Sequence, residues 1–122
     1  GVVTAINPVT MAVIATVQTG GTNPTEAAVG PDGLLYVVNT GNYVTPASMA
    51  IIDPSSMQRV ALISPLSVGA GHIAIDAAGL AYISSFSDAT VVFNTRTRTW
   101  VRGPDNPVCA RRAASNTCRG AA

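Results

Sequence analysis

The chain has 122 residues, 48% of them apolar and only 11% charged, with a formal net charge of +1. Apolar content this high excludes an intrinsically disordered chain. Thr, Asn, Gln, Gly and Pro also interrupt every apolar run well short of the roughly 20 residues of a membrane-spanning helix. The charge is uneven, with five acids and one Arg in residues 1–88 against six Arg and one Asp in residues 89–122. No Lys occurs and no aromatic ladder accompanies the arginines, so the footprint of a nucleic-acid binder is missing. The basic end is suited instead to an acidic surface on a neighbouring protein.

Period-2 alternation with β-branched residues predicts strands throughout, and nothing reads as a helix longer than a turn. The first pair is VVTAI and MAVIATV, joined by the turn Asn7-Pro8-Val9-Thr10. Four strands follow, TEAAV, LLYVV, SMAII and QRVALI, with turns at Gly30-Pro31-Asp32-Gly33, from Asn39 to Pro46, and at Asp53-Pro54-Ser55-Ser56. A second set of four reads HIAID, LAYIS, ATVVF and TWVRG, with turns at Ala77-Ala78-Gly79, from Ser84 to Asp88, and from Asn94 to Thr97. Asp32, Asp53 and Asp76 sit beside Gly or Pro, where a short acidic side chain caps a turn. After Gly103 the alternation stops, and the tail GPDNPVCARRAASNTCRGAA reads as irregular.

These elements repeat. Gly33, Leu34 and Tyr36 recur as Gly79, Leu80 and Tyr82, each 46 positions on. The same offset carries Asn7-Pro8 to Asp53-Pro54, Thr10 to Ser56 and Met11 to Met57. A weaker copy places Asn94, Thr97 and Trp100 41 positions after Asp53, Ser56 and Arg59. A period of 40–50 residues built from short strands predicts an all-β fold of four-stranded antiparallel propeller blades. The division is residues 1–23 as the outer half of a blade, 24–66 and 67–103 as full blades, and 104–122 as the irregular tail. Propeller rings usually need four to eight blades, so the ring is incomplete in this chain. The chain is therefore expected to be part of a larger propeller or a subunit, with further blades, other subunits or copies of itself as partners. Gly1 in place of an initiator Met fits a processed or trimmed chain.

Cys109 and Cys118 enclose eight residues, a spacing that fits neither a C-x-x-C redox motif nor a zinc ribbon. The expected use is a disulfide, which implies a periplasmic or secreted protein. Such a bond would hold Arg111 and Arg112 on a rigid loop for contact with an acidic partner. Trp100, on an outermost strand, is expected to cover a blade edge, with partner contact as its other role.

NPTEAAVGPDGLLYVVNTG followed by MAIIDPSSMQRVALI resembles one repeat of the YVTN-type β-propellers. HIAIDAAGLAYIS followed by VVFNTRTRTW is similar to NHL and SMP-30/streptogramin-lyase-type blades. The resemblance covers residues 1–103 and implies blade architecture, on which binding proteins, scaffolds, lactonases and lyases all occur.

The only Glu and the only His of the chain, Glu26 and His72, fall on equivalent positions of successive innermost strands. The resemblance implies that side chains there point toward a central channel. A carboxylate and an imidazole facing one cavity suit a divalent metal or proton transfer. They equally suit a plainly wettable channel wall. G-x-S-x-G, G-x-G-x-x-G, the P-loop and C-x-x-C-H are all absent, and no cofactor is predicted. The expected function is a non-catalytic, extracytoplasmic scaffold or assembly segment. The alternative is part of a metal-assisted lactonase or lyase with Glu26 and His72 at its channel.

Overall fold

The structure, a computed structural model, describes residues 1–112 and 115–120, with side chains described as far as residue 108. Its strands are β1 (Val2–Ile6), β2 (Val13–Gln18), β3 (Pro24–Val29), β4 (Leu35–Asn39), β5 (Ser48–Asp53) and β6 (Gln58–Ile63). They continue as β7 (Ala70–Ile75), β8 (Leu80–Ser85), β9 (Val91–Asn94), β10 (Thr99–Arg102), β11 (Cys109–Arg112) and β12 (Ser115–Gly120). No helix occurs among the described residues. Strands β3-β4-β5-β6 form one four-stranded antiparallel meander and β7-β8-β9-β10 another, while β1-β2 and β11-β12 are hairpins. The molecule is all-β, built of four-stranded antiparallel sheets, and no ring closes among the described residues. No helix among them is long and apolar enough to cross a membrane.

The sheets stack face to face because the alternation of β4 and β5 is apolar on both sides. Tyr36, Val38, Met49 and Ile51 pack with Ile73, Ile83, Val91 and Phe93 of the second meander. Their neighbours Val37, Ala50 and Ile52 point the opposite way and pack with Val17 and Val3 of the β1-β2 hairpin. Fully burying one such side chain is worth about 1.5–3 kcal/mol, so these two layers supply most of the driving force.

Three of the turns share one backbone conformation. Met11, Met57 and Arg98 close the β1-β2, β5-β6 and β9-β10 turns at φ of 58°, 52° and 55°. A left-handed residue costs roughly 1–2 kcal/mol unless it is glycine. Each is held by an Asx cap: Asn7 Oδ1 accepts from Val9 N–H at 2.9 Å, Asp53 Oδ1 from Ser55 N–H at 2.9 Å, and Asn94 Oδ1 from Arg96 N–H at 3.0 Å. Gly33 and Gly79 adopt φ of 79° and 90° at the β3-β4 and β7-β8 turns. There the residue type is dictated by the conformation.

Two carboxylates do the same work from different positions. Asp32 Oδ1 accepts from Leu34 N–H and its Oδ2 from the Tyr36 hydroxyl, at 3.1 and 2.6 Å. In the second meander Asp76 takes the Leu80 N–H at 2.9 Å and the Tyr82 hydroxyl at 3.2 Å. The Leu80 amide, then the Tyr82 hydroxyl, hold the Asp76 carboxyl below its ordinary value of 3.8. The Ser55 hydroxyl and amide do the same for Asp53. Burial and the Asp32 carboxylate together push the Tyr36 hydroxyl far up.

A depressed native carboxyl stabilises the fold above its unfolded value and loses that contribution as pH falls through the native one. The midpoint of urea unfolding is therefore expected to hold from neutral pH down to about 4 and to fall below it. The double variant Asp53→Asn, Asp76→Asn should show a smaller acid-side loss, and an unchanged loss would remove these two caps as its cause.

One element differs from the sequence reading. The tail read as irregular contains a hairpin, in which β11 pairs antiparallel with β12, Ala110 opposite Arg119 and Arg111 opposite Cys118. The segment is rich in small and polar residues, so it carries no apolar alternation to announce a strand. The Cys109–Cys118 disulfide and the contact roles of Arg111 and Arg112 fall on side chains outside the described residues.

Candidate functional site

The site lies where the first strand of one meander meets the first strand of the next. Strands β3 and β7 run side by side, and their alternation sends Glu26 and His72 to a common surface. Glu26 Oε2 and His72 Nδ1 are 2.7 Å apart. A carboxylate only accepts, so Nδ1 carries the proton and donates it, leaving Nε2 with its lone pair in the neutral ring. His72 is largely exposed and Glu26 partly so.

One residue along each strand, a second link joins the meanders. The Thr25 hydroxyl donates to the Gly71 carbonyl at 3.1 Å and lies 2.7 Å from the Thr40 hydroxyl. Thr25 has a single proton, and the carbonyl takes it. Thr40 must therefore be the donor in the hydroxyl pair.

His72 separates two clefts. The larger, of about 530 Å3, is lined by Thr25, Thr40, Tyr43, Gly69, Gly71, His72 and Phe86. The smaller, of about 310 Å3, runs past Glu26, His72, Tyr82, Ser84 and Thr90. Tyr43 comes from the β4-β5 loop and Phe86 from the β8-β9 loop, both at the edge where β3 and β7 begin.

The structure thus places Glu26 and His72 in direct contact. Trp100 stands apart from them. It is half-buried, and its ring meets Phe93 edge-on at 5.2 Å and 74°. No group of three His, Cys, Asp or Glu poised to hold a metal occurs among the described residues. The sequence reading missed Thr25, Thr40, Tyr43 and Phe86. An aromatic residue set among Gly, Asn and Ser, as in TGNYVTP and SSFSD, was the available signal for exposed loop aromatics.

No family model matches the chain, and no curated protein matches it.

Proposed function

We propose that the protein is a non-catalytic, extracytoplasmic β-propeller segment that acts as a scaffold, with neighbouring protein sheets covering its two end faces. One comparison between repeat-equivalent residues carries this reading. Ile52 on β5 is 1% exposed beneath the β1-β2 hairpin, whereas Ile6, its equivalent 46 positions earlier on β1, is 49% exposed. The other end repeats the contrast: Tyr36 is 0% exposed against the second meander, and its equivalent Tyr82 is 42% exposed. The faces that bury their apolar residues inside the stack are bare at its ends. Exposed Ile14 lies on the same hairpin as Ile6, and exposed large apolar side chains gathered on one element suit a contact site.

Hydroxyl-radical footprinting at low and high protein concentration tests the assignment. Labelling of Ile6, Ile14 and Tyr82 is expected to fall as the protein is concentrated. Labelling of Val9, exposed at the tip of the β1-β2 turn, should stay constant. Unchanged labelling at all four sites would contradict the proposal.

A second reading, a metal-assisted lactonase or lyase, is favoured by the contact between Glu26 and His72, because a carboxylate that orients an imidazole leaves the opposite nitrogen available as a base or ligand. Stoichiometric, micromolar binding of a divalent ion that is lost in His72→Ala would support that reading over the scaffold.

A further inference from the structure

We propose that the larger cleft binds a primary ammonium group carried on a flat apolar body, a small arylalkylamine in chemical class. The hydrogen atoms of the cleft's polar side chains are mostly committed. Thr25 gives its one proton to the Gly71 carbonyl, and Thr40 gives its own to Thr25. His72 directs its Nδ1 proton to Glu26. In the neutral His72 ring this leaves a lone pair on Nε2 at the cleft, while Thr40 is 1% exposed and the Tyr43 hydroxyl can donate or accept. A ligand that donates a hydrogen bond satisfies both His72 and Tyr43. An anion or a carbonyl-rich ligand would find the Tyr43 hydroxyl as the one uncommitted side-chain donor in the lining.

Charge selects among donors. Glu26 stands directly behind His72, no arginine lines the cleft, and residues 1–88 hold five acids against one Arg. A cation is favoured there over a neutral donor. The walls select the body. Tyr43 and Phe86 project from separate loops onto the same opening, and Phe86 is 84% exposed. An aromatic face attracts a cation and covers a planar apolar group. A mostly apolar cleft with a few convergent polar groups is the usual form of a small-molecule site.

The test is calorimetric titration of the 122-residue chain with 2-phenylethylammonium, 2-phenylethanol and phenylacetate. The ammonium is expected to bind at least about tenfold more tightly than the alcohol, with no binding of the acid. Phe86→Ala and Glu26→Gln should each weaken the ammonium by about tenfold or more. The loss on Glu26→Gln should be smaller for the uncharged alcohol than for the ammonium. Circular dichroism checks that each variant keeps its fold, and exposed Phe86 supplies the test if Glu26→Gln does not. Equal binding of alcohol and ammonium, preference for phenylacetate, or no binding of the ammonium would overturn the proposal.

Discussion

Replacing Phe93 with alanine is expected to destabilise the protein by about 3–5 kcal/mol. Phe93 is 1% exposed on β9 and packs into the layer between the two meanders, beside Ile51, Ile83 and Val91. Its removal leaves a cavity between two sheets that cannot close on each other, because strands β3 and β7 fix their separation at the inner edge. It also strips Trp100 of the ring it meets edge-on. The other phenylalanine provides the control. Phe86→Ala, at 84% exposure, is expected to change stability by no more than about 0.5 kcal/mol. Urea unfolding monitored by Trp100 fluorescence reads both. Similar losses for the two variants would mean that the meanders are not packed through Phe93.

The second large effect concerns assembly. Ile6→Lys with Ile14→Lys places two charges on the outer face of the β1-β2 hairpin, where both isoleucines are exposed. Neither side chain supports the internal layers, so the fold should persist. Burying two unpaired ammonium groups in an apolar contact is costly. Self-association is therefore expected to weaken by about a hundredfold or more, with little change in the urea midpoint of the separated chains. A variant that associates like the parent protein would show that this face is not the contact.

The all-β strands were legible because their boundaries are written in turn residues. Asn7, Asp53 and Asn94 announce the same capped turn, and Gly33 and Gly79 mark the same left-handed reversal. The dual burial of β4 and β5 was also visible, since YVV and MAII are apolar at consecutive positions, as strands covered on both faces must be. The Asp32 and Asp76 equivalence was hidden. Strict alignment places Asp76 opposite Gly30, and only the folded chain brings both carboxylates onto a leucine amide and a tyrosine hydroxyl. At the candidate site, the offset put Glu26 and His72 on equivalent positions of successive strands, and their hydrogen bond came only with the structure. The cleft beside it did not, because Tyr43 and Phe86 lie on loops that differ in length and share no register. The β11-β12 hairpin escaped for a related reason, as it rests on backbone pairing without an apolar face.

Whether the end faces seek further protein is decided most directly by sedimentation velocity of the 122-residue chain across a wide concentration range. The scaffold account predicts reversible association that begins well below millimolar concentration and is reduced by Ile6→Lys with Ile14→Lys. A folded, monodisperse species of 12.4 kDa at every concentration would contradict it.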